Sequence, residues 1–179
     1  MEDNIKFERI NSKNFDINSL DTYNRYQETE VNLRLVNGQY LYKNEPFIET
    51  WDNVQLHETA NEVIKAVRQG SIGFIAKYQE KIIGFTYLGT NYLGNEKQYI
   101  ELIMFHVTKE YRNKGIGKKL FKLICGEAKK LPAKKLYISA NSAKETQEVY
   151  KALGCVFAEE VQEKILDYNP YDVQLEYIL

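Results

Sequence analysis

The chain has 179 residues and a mass of 21.0 kDa, with 44% hydrophobic and 27% charged residues, 24 of them basic and 25 acidic. This composition excludes a disordered protein, and a chain of this length can bury a full core without disulfides or a metal. The sequence has only two cysteines, and its first residues do not form a basic leader. It has no apolar run near the roughly 20 residues that cross a bilayer, so we predict a cytoplasmic, non-membrane protein.

The first half of the chain predicts a strand, a hairpin and a helix. Residues Ile5 to Ile10 form the strand, and Asn37-Gly38 joins the hairpin strands Val31–Val36 and Gln39–Lys43, because both turn residues tolerate a positive φ. Apolar residues at helical spacing then predict a helix that Gly70 ends. Its apolar positions are Leu56, Ala60, Val63, Ile64 and Val67.

The second half predicts alternating strands and helices. The long strand Gln98–Thr108 leads into an amphipathic helix that ends at Pro132, and the last strand alternates from Tyr171 to Tyr177. The remaining elements are strands at Ser71–Tyr78, Ile82–Thr90, Lys135–Ala140 and after Gly154, and a helix at Ala143–Leu153. This order predicts one α/β or α+β domain over residues 1–179 around a mixed sheet.

The most informative segment runs from Tyr111 to Leu120, where a strand turns into a helix. The first helical turn has N–H groups without intrahelical partners, and the helix dipole adds positive charge there. Gly115 and Gly117 would let a diphosphate approach the backbone, with Arg112, Lys114, Lys118 and Lys119 nearby. Residues 109–135 hold ten basic and two acidic residues, which also favours an anionic partner.

Two familiar phosphate-binding loops do not fit this segment. A Walker A loop needs Gly at position 112 and Ser or Thr at 119, where this chain has Arg and Lys. A dinucleotide-binding fingerprint needs Gly or Ala at position 120, where this chain has Leu.

The remaining pattern, Arg112-x-x-Gly115-x-Gly117, resembles motif A of the GCN5-related N-acetyltransferases (GNAT superfamily). The run from Phe105 to Tyr111 before it and Tyr150-x-x-x-Gly154 after it are similar to the family as well. The resemblance covers about residues 71–161 and implies a GNAT-like fold, a mostly antiparallel twisted sheet of six to seven strands flanked by helices. It leaves residues 1–62 as a variable region that shapes the acceptor side.

The resemblance also implies acetyl-CoA as cosubstrate and no metal. The residues that it assigns to acetyl-CoA are Phe105, His106, Val107, Arg112, Asn113, Lys114, Gly115, Ile116, Gly117, Lys118 and Asn141. Asn141 lies two positions from the usual Asn of the family, and Ser139, Ser142 or Thr146 could replace its contact with the pantetheine arm.

Acetyl transfer to an amine needs a base, because an amine with a pKa near 10.4 is mostly protonated at pH 7, a shortfall of about 4.6 kcal/mol. Glu101 lies 11 residues before Arg112, where histone-acetylating members of the superfamily carry their catalytic Glu. Strand alternation predicts an apolar face with Glu101, Ile103, Phe105 and Val107, and places His106 on the other face. The alternative for Glu101 is a salt-bridged or edge-exposed residue, and for His106 we favour a packing role.

Tyr150 is the candidate acid for the departing thiolate, and the resemblance favours this role over that of a core tyrosine. In the family this strand splays to admit the pantetheine, so the resemblance implies that the backbone N–H of Phe105 or His106 is the oxyanion donor and that a β-bulge lies there. Neither Cys125 nor Cys155 has a plausible base nearby in the sequence, so no covalent enzyme intermediate is expected.

Three functions compete. The first is an N-acetyltransferase acting on a primary amine of a small molecule or peptide, and the second is a catalytically silent acyl-CoA-binding regulatory module. The third, a nucleic-acid binder, is disfavoured because the rest of the chain is acidic. That acidity favours a cationic acceptor such as a polyamine, an aminoglycoside-like drug or a Lys side chain. The hairpin and the C-terminal strand could wall the acceptor pocket or pair with a second subunit in a homodimer.

Overall fold

The computed structural model describes residues 4–179, which form a seven-stranded sheet, a separate two-stranded hairpin and four α-helices. The sheet has the strand order β1-β4-β5-β6-β7-β9-β8, and the hairpin pairs β2 with β3. The elements are β1 (Lys6–Arg9), β2 (Gln27–Val36), β3 (Gln39–Glu49), α1 (Asn53–Arg68), β4 (Gly73–Tyr78), β5 (Lys81–Leu93), β6 (Tyr99–Val107), α2 (Ile116–Ala128), β7 (Lys135–Ala140), α3 (Lys144–Ala152), β8 (Val156–Phe157), α4 (Glu163–Tyr168) and β9 (Val173–Ile178).

The turn and cap signals of the first half are confirmed. Asn37 and Gly38 have φ values of 49° and 80°, as a type I′ turn requires, although the hairpin strands extend further than predicted. Helix α1 begins with a capping box between Asp52 and Gln55, and Gly70 follows its end with φ 95°. No helix among the described residues is long and apolar enough to cross a membrane.

The sheet separates two cores. Helix α1 covers one face, where Leu56 and Val63 pack against Ile75 and Phe85. Helix α2 covers the other face, where its residues Phe121 and Ile124 form one core with residues of β6, β7 and β9. The mixed sheet flanked by helices that the sequence predicted is therefore confirmed, with antiparallel neighbours everywhere except between β6 and β7.

The parallel strands β6 and β7 pair over a short distance and then diverge. Only Tyr99, Ile100 and Glu101 have partners in β7, namely residues 135–137. Beyond these three pairs, the carboxyl ends of both strands leave a gap in the sheet. This gap positions the site described below.

A β-bulge lies at Ile103 and not, as expected, at Phe105 or His106. Tyr87 pairs with Met104 and Leu88 with Leu102, so Ile103 is an extra residue in β6. The bulge reverses the strand alternation, and the prediction that Glu101 shares a face with Phe105 and Val107 is wrong. Phe105 and Val107 face α2, where they approach Gly117, whereas Glu101 lies on the α1 side with His106.

The C-terminal strand β9 also differs from its prediction. It lies inside the sheet, between β7 and β8, and its polar residues Gln174 and Glu176 are only 3% and 2% exposed. The simple alternation fails because both faces of β9 are covered. Glu176 accepts hydrogen bonds from Tyr99 Oη (2.6 Å) and Lys135 Nζ (2.7 Å), which joins β9 to the paired end of β6 and β7.

Replacing Lys135 by Met should lower the free energy of unfolding by about 3–5 kcal/mol, because the buried Glu176 carboxylate loses its cationic partner. Burial opposes ionisation of Glu176, but its bonds to Lys135 and Tyr99 outweigh burial and lower its pKa. This stabilisation is present above the unfolded pKa and is lost as the pH falls through the folded pKa. Urea unfolding at pH 7 measures the effect, with Lys134→Met as the exposed control. Equal midpoints for both variants would contradict it.

Candidate active site

A cavity of about 750 Å³ occupies the gap between β6 and β7. The start of α2, helix α3 and the base of the hairpin complete its walls. Ten of the residues that the sequence assigned to the site line it: Phe105, His106, Val107, Arg112, Asn113, Gly115, Gly117, Lys118, Asn141 and Tyr150. Glu101, Lys114 and Ile116 do not.

The loop before α2 presents unpaired N–H groups to this cavity. Gly115 is the N-cap residue with φ 75°, Asn113 has φ 60°, and the first helical bond is donated by Lys119 to Gly115 O (3.1 Å). Within residues 4–179, the backbone N–H groups of residues 113–118 have no acceptor. Such a set of amides at a helix N-terminus can bind an anion.

The side chains of this segment divide into those that reach the cavity and those that do not. Lys118 lines the cavity and supplies positive charge beside the free amides. Lys114 instead donates from Nζ to Glu110 O (2.7 Å), and Ile116 is 3% exposed in the core. Lys114 and Ile116 can therefore serve an anion through their backbone N–H groups, not through their side chains.

Arg112 is held by backbone carbonyl groups. Its Nε donates to Val107 O (3.0 Å), Nη1 to Tyr26 O (2.8 Å) and Nη2 to Arg25 O (3.2 Å). The guanidinium thus fastens the entry to the hairpin against the end of β6. With all three nitrogens engaged, Arg112 has a positioning role in this conformation, and the loop amides remain as the direct anion donors.

The edge of β6 that faces the gap offers further donors. Thr108 N donates to Ile83 O of β5 (2.9 Å), and successive N–H groups of a strand point to opposite sides. The N–H groups of Phe105 and Val107 therefore point into the gap, while that of His106 points to β5. This geometry favours Phe105 over His106 as an oxyanion donor.

The ring of His106 packs among aromatic groups on the α1 side. It lies 5.2 Å from Trp51 and 5.7 Å from Phe85, measured between ring centroids. Burial, together with the charges of Arg25 and Arg112, lowers the pKa of His106 well below its usual value. The imidazole is therefore neutral at pH 7, as expected for a packing residue.

Tyr150 extends from α3 into the wall of the large cavity. Its side chain is 7% exposed and its ring lies 5.9 Å from that of Phe105. Burial raises its pKa above the ordinary value of 10, with smaller contributions from Cys155 and Asp172. The hydroxyl has no hydrogen-bond partner within the described part of the chain and remains a phenol at neutral pH.

Glu101 lies in a second, smaller cavity of about 250 Å³ on the α1 side of the sheet. There, a second irregularity of β5 places Gly89, Thr90 and Asn91 opposite Glu101 and interrupts the ladder. Burial raises the pKa of the Glu101 carboxyl. Ile103 lines both cavities, so this one side chain stands between Glu101 and the gap.

Three polar residues at the open end of the gap were not predicted as a group. Arg25, 5% exposed, donates from Nη2 to Glu49 Oε2 (2.7 Å), and Asn141 Nδ2 donates to the same oxygen (3.1 Å). Asn141 Oδ1 accepts from Ala143 N (2.8 Å), so the Asn141 side chain closes the gap end and is already engaged. No local pattern in the sequence signals pairing across 24 and 92 positions.

Among the alternatives to Asn141, Ser139 and Thr146 line the large cavity, and Ser142 does not. The cysteines lie elsewhere. Burial raises the pKa of both Cys125 and Cys155 to about 12, so neither thiol is a nucleophile at neutral pH. Across residues 4–179 no three His, Cys, Asp or Glu side chains are grouped to hold a metal ion.

Comparisons with known proteins agree with this geometry. Residues 23–174 match the family model described as an acetyltransferase (GNAT) domain. A search of curated protein sequences gives no significant match. A Bacillus anthracis protein assigned as a streptothricin acetyltransferase and solved with acetyl coenzyme A superposes with a TM-score of 0.70 at 19% identity, over 98% of this chain and 97% of its own.

Two further solved structures share the fold. Nourseothricin acetyltransferase has a TM-score of 0.67 at 13% identity, over 97% of this chain and 96% of its own. A GNAT family acetyltransferase from Elizabethkingia anophelis with acetyl-CoA bound has a TM-score of 0.58 at 19% identity, over 99% of both chains. With a family model that spans most of the sequence, the chain belongs to the GNAT family of acetyltransferases.

Proposed function

We propose that this protein transfers the acetyl group of acetyl-CoA directly to a primary amine. The observation that carries the proposal is the row of free N–H groups at residues 113–118. These groups lie at one end of the large cavity, and the cavity extends from them into the gap between β6 and β7. The amides and Lys118 would bind the diphosphate of the cosubstrate. The gap would then receive the pantetheine arm and expose the thioester at the Ile103 bulge.

The chemistry requires a base, an oxyanion donor and a donor for the leaving sulfur. Glu101 takes the amine proton, directly or through one water, as the nitrogen attacks the thioester carbon. The N–H of Phe105 donates to the carbonyl oxygen while it carries negative charge. The C–S bond then breaks, and the amide product and the CoA thiolate separate.

Tyr150 assists the departing sulfur mainly as a hydrogen-bond donor. Its raised pKa keeps the phenol protonated, but full transfer of that proton to a thiolate whose thiol has a pKa near 8.5 is uphill. A hydrogen bond to the developing charge needs no such transfer, and the thiolate acquires its proton after the bond has broken. This refines the role of acid that the sequence suggested.

The decisive experiment measures thiol release from acetyl-CoA in the presence of a panel of amines. Amine-dependent release together with an acetylated product supports the transferase. Tight acetyl-CoA binding with no release for any amine would instead support the silent acyl-CoA-binding module. Binding to nucleic acid that added CoA does not weaken would favour the third function, a nucleic-acid binder.

Replacing Gly117 by Val should weaken CoA binding about 10- to 100-fold. A Cβ at this position meets Phe105 Cζ at 3.3 Å and Val107 Cγ2 at 3.7 Å, so the larger side chain fills the channel between α2 and β6. Gly117 lines the large cavity, so the added methyl groups would stand beside the loop amides that bind the diphosphate. Each 1.4 kcal/mol of lost binding free energy changes an affinity tenfold.

Gly126→Val is the matched control for this substitution. It lies in the same helix, and no atom lies within 4 Å of its added Cβ. Calorimetric titration with CoA should give an unchanged dissociation constant for Gly126→Val and a weaker one for Gly117→Val. Equal affinities would place the diphosphate elsewhere.

The proposal extends to the whole chain and its surroundings. We take residues 1–179 as a single catalytic domain in which residues 1–62 shape the acceptor side. The base of the hairpin lines the large cavity through Tyr26, Gln27 and Glu28, which supports that division. The two reduced, buried cysteines fit a cytoplasmic protein that acts on a small-molecule or peptide amine.

A further inference from the structure

The smaller cavity suggests which amines the protein accepts. It lies between the end of α1 and the irregular part of β5, and it meets the large cavity at Ile103. Ile103 is 38% exposed although it belongs to a central strand, because the bulge turns it into open space. A molecule in the small cavity would therefore be separated from the gap by one apolar side chain.

The remainder of this face of β6 is filled. Tyr23 packs against Trp51 and Phe85 with centroid distances of 6.3 and 5.5 Å, and His106 lies between the same two rings. This aromatic cluster covers β6 on the α1 side toward the open end of the gap. An amine approaching on this side would reach the gap beside Glu101 and Ile103.

The lining of the small cavity has one acidic side chain. Among the described residues that form it, Glu101 is the only Asp, Glu, Lys, Arg or His, and Gln69, Thr90 and Asn91 supply neutral polar groups. At about 30 Å³ for each water, the volume of about 250 Å³ holds about eight water-sized groups. A second ammonium group inside the cavity would have no second carboxylate in the lining, because Glu62, whose charge raises the pKa of Tyr87, is exposed on α1 outside it. An ammonium without a direct partner is unfavourable in a partly desolvated site.

We propose that the small cavity is the acceptor site, that it takes a small primary monoamine with a short neutral tail, and that Ile103 determines how bulky that amine can be. The inference rests on the proposed acetyl transfer. It replaces the polycationic acceptors, such as a polyamine, that the acidity of the chain suggested, because the lining of the cavity, not the net charge of the chain, contacts the acceptor.

A matched pair of amines tests the charge requirement. 4-Amino-1-butanol and 1,4-diaminobutane have the same chain length and differ in a hydroxyl against a second ammonium. With acetyl-CoA, kcat/KM for thiol release should be at least about tenfold higher for the amino alcohol. Gln69→Glu adds a second carboxylate to the cavity and should reduce or invert this ratio, whereas Gln79→Glu, in the turn between β4 and β5, should leave it unchanged.

Ile103→Ala tests the size limit. It should raise kcat/KM for a bulkier monoamine such as benzylamine about tenfold relative to 4-amino-1-butanol, without a change in the dissociation constant of CoA. Val149→Ala, which alters the large cavity alone, should leave the ratio of the two amines unchanged.

The outcomes separate this inference from the proposed function. Two results overturn the acceptor assignment while the acetyl transfer stands. One is thiol release that is fastest with the diamine, and the other is a ratio of kcat/KM values between amines that neither Gln69→Glu nor Ile103→Ala changes. CoA binding without release for any amine, the diamine included, overturns the proposed function itself.

Discussion

Replacing Glu101 by Gln is expected to lower kcat/KM at pH 7 about 10²- to 10⁴-fold, the range that general base catalysis contributes. Gln has the same shape but cannot accept the amine proton. The carboxyl lies in the small cavity, where burial raises its pKa and makes it a stronger base than an exposed Glu. The affinity for CoA should not change, because Glu101 does not line the large cavity.

The pH dependence gives this prediction a second readout. Because the pKa of Glu101 is raised, kcat/KM should fall on the acid side at a pH above 4.5, the ordinary value of a Glu carboxyl. The contribution of Glu101 to this acid limb should be missing in Glu101→Gln, where only the ionisation of the amine remains. A carboxyl whose folded pKa is raised stabilises the fold below its unfolded pKa, and this stabilisation is lost as the pH rises through the folded pKa. At pH 7 the Gln variant should therefore unfold at a higher temperature than the parent.

Glu58→Gln is a suitable control, since Glu58 is exposed on α1 and lies outside both cavities. It should leave turnover and melting temperature unchanged. Full turnover in Glu101→Gln would show that another group, or water alone, accepts the proton, and Glu101 would then be a buried strand residue without a catalytic role.

Replacing Tyr150 by Phe is expected to lower kcat about 10²- to 10³-fold, as the removal of one donor to developing negative charge does in other enzymes. The ring stays in place against Phe105, so the core should keep its packing. The hydroxyl has no protein partner within the described residues, and its removal leaves no buried group unsatisfied. The loss should therefore appear in kcat, with little change in stability.

Two observations can contradict the Tyr150 assignment. Tyr40→Phe removes a hydroxyl from the same core without touching the large cavity, and it should keep full turnover. Since the pKa of Tyr150 is raised above 10, the parent should show no alkaline loss of kcat from this group below pH 10. Equal kcat values for Tyr150→Phe and the parent would show that solvent, and not Tyr150, stabilises the departing thiolate.

Local signals predicted the parts of the fold that depend on neighbouring residues. Asn37-Gly38 forms the hairpin turn and Gly70 ends α1, all three at the positive φ that glycine and asparagine tolerate. The phosphate loop could be recognised for the same reason, because its chemistry consists of backbone N–H groups at the start of one helix.

The features that the sequence could not predict depend on distant partners. The bulge at Ile103 is a matter of register between β5 and β6, and one extra residue moved Glu101 to the opposite face from Phe105. Arg112 donates to carbonyl groups that lie 86 and 87 positions away in the sequence, and no local motif indicates such pairing. Helix α4 was missed because its six residues are too few to establish a helical period.

The bonds of Arg112 have a consequence for how this protein can diverge. They grip main-chain oxygen atoms of Arg25 and Tyr26, which every amino acid carries, so the anchor is indifferent to the side chains at those positions. New substrates can therefore be explored by substitution at the entry to the hairpin while the machinery for the shared cosubstrate stays fixed. One guanidinium would thus hold the cosubstrate loop in place whichever side chains stand at positions 25 and 26.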